Sequence, residues 1–283
     1  MHEILTIEHL SITPKGAPSR LLVNQLNLSL HAGKTTCVVG ESGSGKSLTA
    51  LAVMGLLSKQ LQMTQGKILL NDPQLGVQDL TKLDEAAMRK IRGAKIGMIF
   101  QEPMTSLNPV LTIGYQIGEG LTTHFGLKGR ALREKVAHLL EMVGIPATRA
   151  NSYPDELSGG QRQRVMIAMS IACEPALLIA DEPTTALDVT VQAQILKLLD
   201  ELKQRMHMAM LFITHDFGVV ADIADDVVVM FRGEIVETGT KQNVLENPQH
   251  PYTKALLACV PDIEGKKALK PMDYSWLANK VAA

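Results

Sequence analysis

One short stretch of the sequence has the residue types and spacing needed to bind phosphate groups: residues 40–47 read GESGSGKS. They match the pattern G-x-x-x-x-G-K-[ST], follow the apolar run TCVVG and precede a helical pattern, as this motif requires. We expect Lys46 to place its cation on the β- and γ-phosphates of a nucleotide and the Ser47 hydroxyl to ligate Mg²⁺. Backbone N–H groups of the loop would surround the phosphates, and the predicted contact residues are Gly40, Glu41, Ser42, Gly43, Ser44, Gly45, Lys46, Ser47 and Leu48.

A second pattern suited to an anion occurs at residues 157–164, which read LSGGQRQR and run into the apolar helical pattern VMIAMSIA. A helix that begins in this way offers unpaired backbone N–H groups and the positive end of its dipole to negative charge. The candidate residues are Ser158, Gly159, Gly160 and Gln161. These residues alone do not say why one small domain contains two such loops.

Two adjacent carboxylates, Asp181 and Glu182, follow the apolar run ALLIA. We expect them at the carboxyl end of a buried strand, which is where ligands bind in open α/β sheets. Asp181 is the candidate for a contact to Mg²⁺ through water, and Glu182 is the candidate general base for an attacking water. The plainer alternative is an acidic pair that only caps a helix, and the phosphate loop in the same chain weighs against it.

Two further polar residues, Gln101 and His215, also follow apolar strand patterns, IGMIF and LFIT. We expect His215 to contact the γ-phosphate from the same edge of the sheet, although a lone His is more often a packing or surface residue. The Gln101 amide oxygen could reach the metal, and its NH₂ group could reach the attacking water. Spacing alone does not decide between this role and none.

The elements that must position these residues alternate between strand and helix patterns, which favours a mainly parallel sheet flanked by helices. Short β patterns occupy residues 4–39, and residues 104–156 have helical spacing with almost no strand pattern, which indicates a helical insertion. The remaining predicted strands are residues 95–100, 176–180 and 209–214 and the runs DVVVMF and EIVETG, which turn at Arg232 and Gly233. The other predicted helices are residues 47–57, the helix after Gly160, and one around 190–205.

Composition excludes several classes of protein. Lys and Arg total 28 against 29 acids, so no strong net charge attracts the chain to nucleic acid or to an anionic membrane. Cys37, Cys173 and Cys259 lie far apart, mostly in apolar runs, and we expect reduced, buried thiols rather than disulfides or a metal site. The apolar runs are shorter than the roughly 20 residues of a membrane helix, and no leader pattern opens the sequence, so we expect a soluble chain.

Taken in order, several motifs resemble those of the ATP-binding subunits of ABC transporters over roughly residues 4–260. They are GESGSGKS, Gln101, LSGGQ, LLIADEP, ALD at 186–188 and His215. QEPMTSLNP at 101–109 and NPQHPYTKALLACVP at 247–261 are similar to the oligopeptide, dipeptide and nickel importer group. This resemblance implies a P-loop NTPase fold of the α/β class, with a mainly parallel sheet, an N-terminal antiparallel β subdomain and a helical insertion.

The resemblance also implies a domain division and a role for each candidate residue. One ATP-binding domain is expected over residues 1–262, with a helical subdomain at about 104–156 and a C-terminal tail at 263–283. The expected ligands are ATP and Mg²⁺. Lys46 and Ser47 match the residues that bind the phosphates and Mg²⁺, and Asp181 matches the carboxylate that holds the metal through water. Glu182 matches the catalytic carboxylate, and His215 matches the switch histidine. Gln101 matches the mobile-loop glutamine, and Asp188 matches the loop that communicates across a dimer.

In such a dimer two ATP-binding domains meet head to tail, which explains the second anion loop. Ser158, Gly159, Gly160 and Gln161 would contact the γ-phosphate held by the partner's phosphate loop. The expected partners are a second ABC ATPase, identical or different, two transmembrane permease subunits that insert a coupling helix against residues 104–156, and an extracytoplasmic solute-binding protein. The chain is then expected at the cytoplasmic face of the inner or plasma membrane as a peripheral protein.

The implied function is to couple ATP binding and hydrolysis to the uptake of peptides or related small solutes, with nickel or a metal-chelator complex as the alternative. A DNA-repair ATPase would carry a long coiled-coil or zinc insertion, and a translation factor would carry two such domains. Neither feature is present, so these two alternatives are less favoured and no nucleic-acid partner is expected. An exporter of lipids or drugs is a further, less favoured alternative.

Two features of the sequence depart from the family pattern. Pro14 stands about where an aromatic usually stacks on adenine, and no aromatic precedes Phe100, so apolar contact alone is expected to hold the base. Without a cysteine-rich tail, no iron–sulfur cluster is expected.

Overall fold

The structure is a computed structural model, and it describes residues 2–73, 75–101, 106–185 and 187–259. These residues divide into two compact units. One comprises the residues up to Leu5 together with Leu30–Gly33 and Leu69–Leu211, and the other comprises Thr6–Ser29, Lys34–Ile68 and the described residues from Phe212 on. Among the described residues, no helix combines the length and the apolar character that a bilayer span requires.

The strands of the described residues fall into a four-stranded and a six-stranded sheet. In chain order they are β1 (Glu3–Pro14), β2 (Val23–His31), β3 (Thr35–Val39), β4 (Leu61–Asp72), β5 (Gly76–Asp79), β6 (Ile96–Ile99), β7 (Leu177–Asp181), β8 (Ala209–Thr214), β9 (Asp226–Phe231) and β10 (Glu234–Thr240).

The helices of the same residues are short to medium in length. They are α1 (Lys46–Val53), α2 (Glu85–Ile91), α3 (Ile113–Phe125), α4 (Gly129–Met142), α5 (Gly159–Ile171), α6 (Val189–Met206), α7 (Phe217–Ile223), α8 (Lys241–Glu246) and α9 (Pro251–Ala258).

Strand β3 delivers the phosphate-loop residues, and it does so from a buried position. All five of its residues, TTCVV, are buried, and it pairs in parallel with β9, with Val39 opposite Val229. A parallel strand covered on both faces is expected to be a continuous apolar run rather than an alternating one. Strand β9 pairs in turn with β10 as an antiparallel hairpin, as the sequence predicted for this final pair.

Strands β6 and β7 end together. They pair in parallel with Ile99 opposite Ala180, and every residue of both strands is buried. Because the register is in step at the carboxyl ends, Gln101 and the Asp181–Glu182 pair leave the sheet side by side.

Helix α5 lies close against β6, which fixes the position of its N-terminal loop. A Cβ atom at Gly97 would overlap the carbonyl oxygen of Ser170, so only glycine permits this approach. The Ser170 hydroxyl donates to the carbonyl oxygens of Met98 and Met166, both at 2.8 Å. The helix that begins at Gly159 is therefore anchored on the strand that leads to Gln101.

The described part of the predicted helical insertion contains α3, α4 and two 3₁₀ turns, and no strand. Helix α3 buries Ile113, Ile117 and Leu121 along one face, at the spacing expected of an amphipathic helix. It begins at the cap Thr112 and ends at Gly126, which has the left-handed conformation common at helix ends. Residues 102–105, where this insertion was predicted to begin, and the tail at 263–283 lie outside the described residues.

Some element predictions differ from the structure. The helix predicted at residues 47–57 ends at Val53, because Met54 caps it and Gly55 has a φ of 61°. Cys259 is only partly buried, whereas Cys37 and Cys173 are buried as predicted, and burial raises the pKa of the Cys173 thiol. The three cysteines form no disulfide bond within the described part of the chain.

Candidate functional site

Glycines give the phosphate loop a shape that other residues cannot adopt. Gly40, Gly43 and Gly45 have φ values of 154°, 80° and 104°. A Cβ atom at Gly40 would overlap the carbonyl oxygen of Met230, and one at Gly45 would lie 3.0 Å from the carbonyl oxygen of Leu22. The loop is thus packed closely against neighbouring backbone, and it is glycine that makes this possible.

Lys46 holds its ammonium group inside the loop. Its residue surface is only 5% exposed, and Nζ donates to the carbonyl oxygens of Gly40 at 2.7 Å and Glu41 at 2.8 Å and, at 3.4 Å, to the Ser44 hydroxyl. A buried charge is tolerated only with such partners. The loop therefore concentrates a positive charge where a phosphate group would bind.

Helix α1 directs its N-terminus at the same place. Its cap is Gly45, which has no side chain to accept from the first-turn N–H groups. Thr49 donates from its backbone and from its hydroxyl to the Gly45 carbonyl oxygen, both at 3.0 Å, which ties the loop to the helix. The first-turn N–H groups and the helix dipole favour an anion at this end, so the loop suits a nucleotide phosphate.

The second group of candidate residues lies at the ends of β6 and β7. Gln101 Nε2 donates to Glu182 Oε2 at 3.3 Å, and the Thr185 hydroxyl donates to the same oxygen at 2.9 Å. Glu182 has a φ of 47°, a left-handed conformation that a non-glycine residue rarely adopts. Its carboxylate is therefore held by two side chains on a backbone that the surroundings keep in an uncommon conformation.

Asp181 is the last residue of β7 and is 6% exposed. Like the Gln101 amide, which follows the neighbouring strand β6, it offers the hard oxygen atoms that Mg²⁺ prefers. No group of three or more His, Cys, Asp or Glu residues suited to a metal occurs in the described ranges. This donor set fits Mg²⁺, which proteins usually hold with one or two carboxylates plus substrate phosphates, better than metals that need a full protein cage.

The second anion loop begins α5 with a reciprocal cap. The Ser158 hydroxyl accepts from Gln161 N at 3.3 Å, and Gln161 Oε1 accepts from Ser158 N at 3.0 Å. Ser158 and Gly159 are exposed, and a Cβ atom at Gly159 would meet nothing within 4 Å. The start of this helix is therefore ordered by its own side chains and open to another molecule.

The predicted dimer residue Asp188 is connected to this loop. Asp188 Oδ1 accepts from Val191 N at 2.9 Å and caps α6. The Val191 side chain lies so close to Gly160 that a Cβ atom there would be 2.8 Å from Val191 Cγ1. Gly160 thus allows the starts of α5 and α6 to pack together, and it brings the loop near the residue predicted to communicate across a dimer.

His215 follows β8, as predicted, and it is exposed. The next residue, Asp216, caps α7 by accepting from Gly218 N at 2.7 Å. The helix therefore starts immediately after His215 and fixes its backbone. Its role at the γ-phosphate stays a prediction based on this strand-end position.

Thr185 and Tyr252 are two described residues that contact candidate site residues and that sequence reasoning missed. Thr185 is one, and its place three residues after Glu182 is a local signal that a search for Glu182 partners would have found. Tyr252 is the other: its hydroxyl accepts from Glu41 N at 3.0 Å, although 211 positions separate the two residues. No local pattern predicts such a contact.

Comparison with known families gives two matches along the chain. Residues 23–185 match the family described as ABC transporter, and residues 236–275 match the oligopeptide/dipeptide transporter C-terminal region.

Two relatives are similar over most of this chain. A Brucella ovis protein, provisionally named a peptide import ATP-binding protein, is 53% identical over 251 residues, which cover 88% of this chain and 74% of that protein. The glutathione import ATP-binding protein of Escherichia coli K12 is 50% identical over 275 residues, which cover 96% of this chain and 44% of that protein. The chain thus spans less than half the length of this second relative.

Solved structures with the same fold include two from ABC systems. The dimeric, post-hydrolysis ATP-binding cassette MJ0796, bound to ADP and Pi, has a TM-score of 0.72 at 27% identity and covers 84% of this chain and 99% of its own. The protein cbiO1 from Clostridium perfringens, part of the ABC transporter complex cbiONQ, has a TM-score of 0.76 at 27% identity. That match covers 87% of this chain and 92% of cbiO1.

Proposed function

Because the chain belongs to the ABC transporter family, we propose that it is the ATP-binding subunit of an importer for peptides or related small solutes. The observation that carries this proposal is the second match, at residues 236–275, to a region named for oligopeptide and dipeptide transporters. It lies outside the part that matches ABC transporters in general. The names of the Brucella ovis and Escherichia coli relatives support the same direction of transport.

Two broader predictions from the sequence are confirmed. The fold is that of an α/β P-loop NTPase, as the likeness to two ABC cassettes shows. The chain is an ABC-type ATPase, since both its family and those cassettes belong to that class.

The loop Gly40–Ser47 is proposed to bind the phosphates of ATP. Lys46 Nζ has three N–H donors, so it would donate to the β- and γ-phosphates while keeping its hydrogen bond to the Gly40 carbonyl oxygen, and a charge-assisted hydrogen bond to phosphate is stronger than a neutral one. The N–H groups from Ser42 to Leu48 would line the phosphates, whereas the Glu41 N–H, also predicted to do so, donates to the Tyr252 hydroxyl instead. Apolar contact near Pro14 would hold adenine.

Glu182 is proposed to activate the attacking water. Gln101 and Thr185 both engage Oε2, which orients the carboxylate and leaves its proton-accepting geometry fixed before a substrate binds. As water attacks the γ-phosphorus, Glu182 would accept its proton while the bond to the bridging oxygen breaks and ADP leaves. Exposed His215 would support the γ-phosphate.

Mg²⁺ is the proposed metal, and Ser47, Gln101 and Asp181 are the proposed residues that hold it. When bound, it would neutralise negative charge on the phosphate oxygens. Asp181 contributes a carboxylate at the end of a buried strand, so its position changes little.

The loop at Ser158 is proposed to serve a second ATPase subunit rather than the nucleotide of its own chain. Its exposure and its ordered helix start both suit contact with a γ-phosphate presented by a partner. The dimeric state of MJ0796 is consistent with such pairing. Gly159 and Gly160 would allow close approach, and Gln161 and Asp188 would keep the two helix starts in place.

Further proposed partners are two transmembrane permease subunits, which would dock on the helical subdomain at about 104–156, and an extracytoplasmic solute-binding protein. With these partners, the chain would lie at the cytoplasmic face of the inner or plasma membrane. The ATP-binding domain would extend over residues 1–262, with 263–283 as its tail.

The test is uptake by the assembled importer. The chain, its second ATPase and its two permease subunits would be placed in vesicles, with the solute-binding protein outside, and ATP inside. We expect ATP-dependent uptake of a labelled short peptide, and no uptake with Lys46→Ala. Lys59→Ala, which removes an exposed lysine outside the loop, is the matched control and should transport normally.

Parallel vesicles would receive glutathione or nickel in place of the peptide. If nickel were taken up, and neither the labelled short peptide nor glutathione were, the peptide proposal would be refuted and the ATPase assignment would stand. Equal ATP affinity of Lys46→Ala and the wild type would refute the phosphate-loop assignment itself.

A further inference from the structure

The C-terminal match reaches the phosphate loop through one side chain, Tyr252. This residue lies in α9, inside residues 236–275, and its surface is fully buried. Its hydroxyl oxygen accepts a hydrogen bond from Glu41 N at 3.0 Å. A region that is characteristic of one transporter group is thus in direct contact with the loop that binds nucleotide.

Tyr252 contacts a peptide unit that also holds Lys46. The N–H of Glu41 and the carbonyl of Gly40 belong to the same planar peptide group, because the amide bond joins them. Tyr252 binds the N–H side at 3.0 Å, and Lys46 Nζ binds the carbonyl side at 2.7 Å. A rotation of this peptide unit would therefore break both hydrogen bonds, so the tyrosine hydroxyl helps to fix the orientation that Lys46 uses.

The tyrosine itself is firmly held. Its ring lies 4.3 Å from the ring of Phe231, centroid to centroid, and the Arg232 guanidinium lies 5.0 Å from that second ring. The N–H of Tyr252 donates to His250 Nδ1 at 3.1 Å, which caps the start of α9. A side chain packed in this way has little freedom to follow a moving loop, and so it can set the loop's position.

The segment before α9 is tied to strand β10. Gln249 N and His250 N donate to the two carboxylate oxygens of Glu237, at 2.6 and 3.0 Å. Burial tends to raise the pKa of Glu237, but the Gln249 N–H, the Thr253 side chain, the His250 N–H and the charge of His250 together outweigh it, and the pKa lies below its ordinary value. The carboxylate is therefore charged at neutral pH and keeps the start of α9 in place.

The hairpin between β9 and β10 supports the loop from the same side. Gly233 N donates to the Ser44 carbonyl oxygen at 3.0 Å, and Gly40 packs against the Met230 carbonyl. The side of the loop that faces away from the phosphates is thus fixed at Gly40, Glu41 and Ser44 by residues between 230 and 252.

We propose that Tyr252 is a positioning residue for nucleotide binding: its hydroxyl fixes the Gly40–Glu41 peptide unit and, through it, the Lys46 ammonium. The C-terminal transporter region then determines how tightly the phosphate loop binds ATP. This inference rests on the proposed function only in taking ATP as the ligand of the loop. It assigns no part of the chemical step to Tyr252.

The test uses the full chain with Tyr252→Phe, which removes the hydroxyl and keeps the ring on Phe231. The matched control is Tyr115→Phe, which removes the same group from a side chain that is 60% exposed. Loss of one hydrogen bond predicts an ATP dissociation constant about fivefold weaker for Tyr252→Phe and unchanged for Tyr115→Phe. The KM for ATP should rise by a similar factor, while kcat stays within about twofold.

Amide hydrogen exchange distinguishes a positioning role for Tyr252 from a purely structural one. The Glu41 amide should exchange faster in Tyr252→Phe than in the wild type, while amides in α9 and β9 keep their rates. Glu237→Gln, which loosens the start of α9 but leaves the hydroxyl in place, should weaken ATP binding less than Tyr252→Phe does.

Unchanged ATP affinity in a folded Tyr252→Phe variant would overturn the proposal. So would a lower melting temperature with no change at the Glu41 amide, because the tyrosine would then only fill the core. If the wild-type chain bound no ATP, the proposed function would fail, and the Glu41 amide would still decide whether Tyr252 positions the loop.

Discussion

Ser158→Asp separates the structural role of the second anion loop from its proposed role in a dimer. In the structure Ser158 caps α5 by accepting from Gln161 N at 3.3 Å. Asp caps a helix about as well as Ser, and a negative charge at a helix start is favourable by roughly 0.3–1 kcal/mol. The free energy of unfolding should therefore stay within about 1 kcal/mol of the wild type, whereas Ser158→Ala should lose about 1 kcal/mol with the cap.

The same substitution should prevent ATP-driven pairing of two subunits. If Ser158 meets the partner's γ-phosphate, the new carboxylate adds repulsion on the order of 4 kcal/mol for unit charges about 4 Å apart at an effective dielectric constant of 20. That corresponds to roughly a thousandfold weaker closed dimer. ATP binding to the isolated chain should be unaffected, since the residue would not face its own nucleotide.

The assay is sedimentation of the chain with its second ATPase subunit in Mg-ATP, on a Glu182→Gln background in which the closed pair should persist. The control is Thr112→Asp, which places the same charge at the cap of α3, where the threonine hydroxyl accepts from Tyr115 N at 3.3 Å. We expect the control to pair and Ser158→Asp to remain separate. Pairing of Ser158→Asp at control strength, or loss of ATP binding by the single chain, would refute the two-chain role of this loop.

Three further outcomes are expected. Glu182→Gln should lower ATP hydrolysis by about 10²–10⁴-fold with ATP binding retained, and wild-type turnover would remove Glu182 from the mechanism. Gly40→Ala should weaken ATP binding more than tenfold in titration, because its Cβ atom would overlap the Met230 carbonyl. The control is Gly126→Ala, which is also at positive φ but in open space, and it should lower the free energy of unfolding by only about 1–2 kcal/mol. The pKa of Glu237 is lowered in the folded chain, so its carboxylate stabilises the fold at a pH above the ordinary pKa of 4.5, and this stabilisation is lost as the pH falls below that value. Urea unfolding should therefore show that Glu237→Gln is less stable than the wild type at pH 7 and that the difference in stability shrinks toward pH 3.

The strand ends that carry the candidate residues could be predicted because they follow fully buried strands. LLIA in β7 and AMLFI in β8 are continuous apolar runs, and the boundaries of both strands agree with the prediction within one residue. The parallel pairing of β6 with β7 then accounts for the meeting of Gln101 and Glu182. Pattern alone did not show that both Gln101 and Thr185 bind the same oxygen of Glu182.

Other elements have no clear periodic pattern to predict them. Strand β4, Leu61–Asp72, begins with the partly or fully exposed residues LQMTQ, in which apolar and polar types are mixed. It neighbours β1 in the sheet and approaches it closely at Gly66, where a Cβ atom would lie 2.7 Å from the Glu8 carbonyl oxygen. Its position depends on close backbone approach rather than on alternation of apolar residues. Helix α7 has only seven residues, too few for a repeated face, and its start depends on the Asp216 cap.

The phosphate loop shows where a motif stops being informative. Its glycines, Lys46 and Ser47 describe the side that meets the nucleotide, and the pattern predicts that side from eight consecutive residues. The opposite side is held by Met230, Gly233 and Tyr252, which lie far along the chain from the loop, with 211 positions between Tyr252 and Glu41. Because these supports lie in β9, the hairpin turn and α9, a substitution there can change ATP affinity without altering any residue that touches ATP. Two ATPases with identical loops can therefore differ in affinity, with the difference arising in the C-terminal region that marks the peptide-importer group.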